Sequence, residues 1–235
     1  TYIGLKSDYP GPGFMAHMRA VVDEARALGM KLYMQAGYMP EAVMGLPPEY
    51  SLGDVRACPA GQGEGIPMDS YGGVEYCLSP SMRILDMLSR EATDFYIRQS
   101  YEEMWKEFRG EFGKTIVSMW VDEPSFRRAS LPWTKGLPAE YERLFGEPFP
   151  MDMVHALFVD CEGAEKVRLR YWRTVLSLMK GAYFASVRDW CHQNGLQFSG
   201  HLMAEDTMES QIAATCFTMP FYKFFDVPGI DYLTA

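Results

Sequence analysis

Positive charge is what this sequence has least of: 22 Lys and Arg face 31 Asp and Glu, for a formal net charge of −9 at pH 7. A nucleic-acid binder needs a basic patch to neutralise phosphates, so that class is not expected. Docking on an anionic lipid surface is disfavoured for the same reason. Long apolar runs are missing too; no stretch reaches the roughly 20 residues that span a bilayer. The five cysteines (Cys58, Cys77, Cys161, Cys191, Cys216) include no CxxC and no paired spacing. A scattered, odd set reads as free thiols in a reducing compartment and argues against a thiolate metal site. Only four histidines occur (His17, His155, His192, His201), with no HxH. No candidate strand is followed by GxGxxG or a P-loop, which weakens a nucleotide-binding sheet.

What is there is ordinary globular material. The chain has 235 residues, 48% hydrophobic and 14% aromatic, enough for one sizeable core and far too apolar for a disordered chain. It opens on TYIGLK without Met and stops in GIDYLTA, where a strand is expected. We therefore read residues 1–235 as a single, incomplete domain of a longer protein. The lack of a basic and apolar leader then says nothing about export. Compartment rests on the cysteines alone, which point to the cytoplasm.

Helices and strands alternate along the chain. Phe14, Met18, Val21, Val22, Ala25 and Leu28 fall at helical spacing, Gly29 stops them, and Met30–Gly37 reads as a short strand. The opening Tyr2–Leu5 reads as the end of an earlier strand. From Tyr38 to Pro80 the chain is rich in Gly and Pro and reads as a long surface excursion, with room for a small hairpin at Glu75–Leu78. A long helix over 92–108 precedes the apolar run Thr115–Val121, as expected of a strand buried on both faces. An irregular stretch with short helical pieces follows over 126–164. The stripe from Val167 to Trp190, stopped at Asn194-Gly195, precedes a strand at Leu196–Leu202. A helix near 208–217 and a strand at Gly229–Leu233 close the pattern. With no hairpin-length connection between these strands, a parallel sheet with outer helices is expected. The fold class is α/β. Long polar insertions after the strands favour a (β/α)8 (TIM-type) barrel over a doubly wound sheet, and about five strands make it a partial, truncated one.

Sites in parallel α/β folds lie where strands end. After the second strand come Gln35, Tyr38 and Glu41; after the third, Asp122 and Glu123; after the fourth, His201, Glu205 and Asp206; after the fifth, Asp231. Trp120-Val121-Asp122-Glu123-Pro124 is the sharpest of these. Proline biases Glu123 toward extended backbone, so Asp122 and Glu123 are expected to point in opposite directions. Either acid could equally be a structural partner of Arg127 or Arg128. His201 alone reads as a satisfied strand histidine, and Glu205 alone as a helix N-terminal acid. Their recurrence at equivalent strand ends shifts the weight toward a site. Paired carboxylates are what glycoside hydrolysis requires, one protonating the leaving oxygen and the other activating water or attacking the sugar. Tyr38, Tyr71, Trp133, Phe221 and Tyr222 are candidates to stack on sugar faces, with core packing as the plainer role for most.

The segments VVDEARALGMKLYMQAGYMP, FGKTIVSMWVDEPSF, LPWTKGLPAEYERLFG, the stretch from VRLRYW to HLMAEDT, and MPFYKFFDVPGIDYL cover most of the chain. In order and spacing they resemble the catalytic barrel of bacterial glycosyl hydrolases related to the α-L-rhamnosidases of glycoside hydrolase family 106. The resemblance implies a (β/α)8 domain of a multidomain enzyme that hydrolyses a terminal deoxysugar such as rhamnose. It places Glu123 at a catalytic position, with Glu205 as the natural second carboxylate. It also implies inversion of configuration and a calcium ion, although no calcium ligand set stands out and no other cofactor is expected. Relatives carry an acidic loop after the second strand; here Gln35 and Ala36 stand where acids are expected, which leaves substrate identity open.

The leading expectation is thus a glycosidase with Glu123 and Glu205 catalytic. Asp122, His201, Gln35, Tyr38, Trp133 and Asp231 are its substrate-binding residues and a carbohydrate its partner. A metal-dependent hydrolase using His201, Asp122, Glu123 and Glu205 is the alternative, and a non-catalytic carbohydrate-binding remnant the third reading.

Overall fold

A computed structural model describes residues 9–36, 39–40, 43–126, 129 and 131–231, with backbone only for 80–83. Helix α1 (Pro12–Ala27) starts with proline in its first turn, where the missing N–H costs nothing. It leads into strand β1 (Leu32–Gln35). Helices α2 (Arg90–Gln99) and α3 (Tyr101–Phe108) lead into β5 (Ile116–Val121). Helices α4 (Leu137–Phe145), α5 (Ala164–Met179) and α6 (Ala185–Gln193) lead into β7 (Gln197–Gly200). Helices α7 (Met208–Thr215) and α8 (Met219–Tyr222) lead into β8 (Val227–Pro228). The four strands form one parallel sheet in the order β1-β5-β7-β8. Each unit lays its strand beside the previous one, without the reversal of order that marks a doubly wound sheet. The proposed strand at Tyr2–Leu5 lies outside the described residues.

Between β1 and α2 stands a second sheet that corrects the expected loop. Strands β2 (Ser51–Pro59), β3 (Ile66–Tyr71) and β4 (Val74–Leu85) pair antiparallel, and β6 (Pro132–Trp133) joins them in the order β3-β4-β2-β6. The expectation that no strands are joined by a hairpin-length turn therefore fails here. The reason is local: Gly72 and Gly73 both take positive φ (61° and 79°), the two-residue turn whose twist matches paired strands. Asp54 anchors this sheet to the chain after β5, where its Oδ1 accepts the Leu131 N–H at 3.1 Å. The 3-10 turn Met151–Leu157 braces it from outside. There His155 meets Asp69 Oδ2 through Nδ1 (2.7 Å) and backbone N–H (2.8 Å), while Tyr71 stacks on the imidazole at 4.2 Å.

Three further differences are local. The helix expected over 92–108 breaks at Ser100, which caps α2 and starts α3. The long helix after Val167 is continuous only through a π-helical turn at Lys180–Phe184. The last strand pairs at Val227–Pro228, two residues before the expected start at Gly229, whose N–H completes that pairing by donating to Gly200 O (2.8 Å), while Tyr232 and Leu233 lie outside the described residues. Both sheets bury their apolar sides in one core, from Val22, Met34 and Leu52 through Met119 to Phe198 and Phe221.

Candidate functional site

Register builds the site. Trp120 pairs with Ser199, Val121 with Gly200, and Gly200 with Pro228. The next residues of the three strands, Asp122, His201 and Gly229, therefore leave the sheet side by side. Side chains alternate across a strand, so Ser118, Trp120 and Asp122 share a face with Ser199 and His201. That face is polar: Ser118 Oγ and Ser199 Oγ are 2.7 Å apart and buried. The opposite face carries Met119, Val121 and Phe198 into the core.

At the top of the polar face, His201 Nε2 lies 2.9 Å from Asp122 Oδ1. The imidazole is buried and sits 5.7 Å from the Trp120 ring, while Nδ1 lies 3.3 Å from the Leu202 carbonyl. A histidine gripped by a carboxylate has a fixed ring and is a ready donor at that nitrogen. Glu123 does not obey the proline bias. Its φ is +44°, in the left-handed region, and the chain turns there instead of running on extended. The expectation that Asp122 and Glu123 point apart is thereby corrected, because both converge on His201. Ligand atoms of Glu123, His201 and Asp231 lie within 4.8 Å of one another. Backbone strain of this kind costs on the order of 1–3 kcal/mol and concentrates at functional sites.

Glu205 is held by different contacts. Thr207, not Glu205, caps α7, in a reciprocal box with Ser210, so the helix-acid role does not account for Glu205. Its Oε1 accepts the Leu202 N–H at 3.2 Å and the hydroxyl of Tyr222. Tyr222 O also lies 3.1 Å from the Gly229 carbonyl, tying the exit of β7 to that of β8. Burial and the Glu205 carboxylate push the Tyr222 phenol well above its usual range, so it stays a donor at neutral pH. The sequence offered Tyr222 only as a stacking ring; its bond to an acid 17 residues away leaves no local signal.

Of the remaining expected residues, Gln35 stands beside this face, and Trp133 and Phe221 lie away from it. Gln35 ends β1 level with Trp120. Trp133 is buried in β6, edge-on to Phe149 at 5.2 Å. Phe221 stacks on Phe184 at 4.5 Å in the core. Tyr38, Glu41, Arg127 and Arg128 lie outside the described residues. As to a metal, two carboxylates and an imidazole do not make a calcium set, which is built from six to eight oxygens. They suit a transition ion better.

No family model matches this chain. A protein of Formosa agariphila named "Putative beta-glucuronidase" is 29% identical over 153 residues, 61% of this chain and 13% of that protein. A solved rhamnosidase from Novosphingobium sp. PP1Y aligns over 62% of this chain and 16% of its own, at 19% identity and a TM-score of 0.44. The chain thus spans less than a fifth of the length of either protein.

Proposed function

We propose that this chain carries the active site of a glycoside hydrolase, cutting a glycosidic bond at the exits of its parallel strands. The observation that carries the reading is the convergence of Glu123, His201 and Asp231, with Asp122 behind His201, from three neighbouring strand ends. The similarity to a protein named for β-glucuronidase activity supports the class. The consecutive strand order supports a (β/α)8 winding of which these four strands are an arc.

In this reading Glu123 is the general acid that protonates the leaving oxygen. Glu205, fixed by the Leu202 N–H and Tyr222, is the general base or nucleophile. His201 and Asp231 bind sugar hydroxyls, and Asp122 orients His201. Gln35 and Tyr38 belong to the rim after β1. No step runs through calcium. The substrate class is a terminal sugar, an α-L-rhamnoside by the sequence resemblance, with a β-glucuronide as the next candidate.

The test is a panel of aryl glycosides that includes both sugars. Wild type is expected to release the aryl group from at least one, and Glu205→Gln to lose about 10²–10⁴ of the rate. A protein that cleaves none, yet binds a sugar equally well after Glu123→Gln, would instead be a carbohydrate-binding module.

The Glu123–His201–Asp231 cluster favours one second reading, a metal-assisted hydrolase in which a divalent ion polarises the bond or activates water. A stoichiometric ion in purified protein, with activity lost to a chelator and restored by the ion, would favour it. Activity without bound ion would end it.

A further inference from the structure

The spacing of Cys58 and Cys77 shows no pairing, but the register of β2 and β4 supplies one. Arg56 pairs with Cys77, and Cys58 with Glu75, so the two cysteines stand diagonally on one face of the antiparallel sheet. Their sulfurs are 3.8 Å apart. Cys58 Sγ also approaches the Glu75 carbonyl at 3.5 Å. The loop between β2 and β3 closes over the pair through Gly63, where a Cβ would fall 2.6 Å from Cys77 Sγ and 2.8 Å from Cys58 Sγ. Only a glycine lets backbone lie this close to both sulfurs.

The two thiols differ in reach. Cys58 is half-buried and Cys77 is 1% exposed. Burial pushes the Cys77 thiol up, with the Cys58 sulfur beside it adding to the effect. Cys191 and Cys216 are buried in the core, and burial holds Cys216 up at about 12, where it is inert at neutral pH.

We propose that Cys58 and Cys77 are an oxidation site, a thiol pair that closes to a disulfide across β2 and β4. The oxidant is a hydroperoxide, hydrogen peroxide in the simplest case. Cys58 sulfur attacks one peroxide oxygen, the O–O bond breaks, and water leaves behind a sulfenic acid. Cys77 sulfur then attacks Cys58 sulfur. The S–S bond forms, the S–O bond breaks, and the Cys77 proton departs with the hydroxyl as a second water. Two thiols lose two electrons in all, and one peroxide becomes two waters. From 3.8 Å to a disulfide length of about 2.05 Å, the sulfurs have a short way to travel. Cys58 is the attacked site because it is the one with solvent access, and Cys77 is the resolving thiol because it is in contact behind it. The product pins the hairpin strand β4 to β2.

The test uses the whole chain, folded, treated with hydrogen peroxide, then denatured and alkylated. Of the five thiols, three are expected to remain. Trypsin cuts after Arg56 and Arg83, so both cysteines fall in the single peptide 57–83. That peptide is expected to lose the mass of two hydrogens and to regain two alkylation sites after reduction. In Cys58→Ser, Cys77 is expected to stay reduced under the same treatment. Should that variant fail to fold, the wild-type peptide decides alone. Five alkylated thiols after peroxide would overturn the proposal, as would Cys58 carried on to a sulfinic acid with Cys77 still free to alkylate.

Discussion

Asp86 shows how one residue sets a pH dependence. Its carboxyl, buried where β4 hands over to α2, accepts the Thr134 hydroxyl at 2.6 Å and the Leu88 N–H at 3.0 Å. Burial outweighs those bonds and raises its pKa from 3.8 to about 7. The folded protein thus holds a proton there that the unfolded chain releases near pH 4. Its stabilising effect is full below about pH 4 and is lost as pH rises through about 7. Asp86→Asn is expected to flatten that fall, a change on the order of a few kcal/mol between the ends of the window, in urea denaturation from pH 4 to 8. At the site, Tyr222→Phe removes a hydroxyl from Glu205 and leaves the ring in place. In the proposed reaction it is expected to lower kcat by about ten- to a hundredfold with KM nearly unchanged, since Glu205 would be displaced and not removed. Residues were legible in the sequence where chemistry and position coincide. Glu123, His201 and Asp231 each end a readable strand or follow one. The Tyr222–Glu205 bond and the φ of Glu123 were not, because each depends on the packing of separate strand exits.

Among the elements, β5 and β7 were readable because each is a short apolar run between a glycine stop and a polar exit. Most of the antiparallel sheet is hidden in the sequence because Gly and Pro in β2 and β3 mask the alternation; the hairpin expected at Glu75–Leu78 falls within β4, and the Gly72-Gly73 pair is its turn. Gly200 decides whether β7 can deliver His201. Its φ is +153°, and an added Cβ would lie 2.3 Å from the Val121 carbonyl oxygen and 2.7 Å from Val121 Cγ1. That oxygen belongs to the neighbouring strand and cannot yield without breaking the β5–β7 pairing. Gly200→Ala is therefore expected to destabilise the fold by roughly 3 kcal/mol or more, seen as a lower urea midpoint. An unchanged midpoint would show that the strand pair tolerates the shift. The remaining boundaries moved by a few residues, and the break at Ser100 was invisible because the apolar spacing runs through it.

At the scale of the molecule, the consecutive order β1-β5-β7-β8 brings successive strand exits together, and this places acids scattered over 100 residues of chain around one histidine. The net negative charge and the carboxylates gathered at the strand exits disfavour a phosphate-bearing substrate. The central claim is that Glu123 donates the proton to a leaving sugar oxygen, and leaving-group dependence tests it most directly. The measurement is kcat/KM of wild type and Glu123→Gln on two glycosides of the sugar that the wild type cleaves, one with an unactivated alcohol and one with a dinitrophenyl leaving group. The account predicts a loss of about 10²–10⁴ on the first and under about tenfold on the second, which needs no acid. A variant as active as wild type on the unactivated glycoside would contradict it, and so would an equal loss on both.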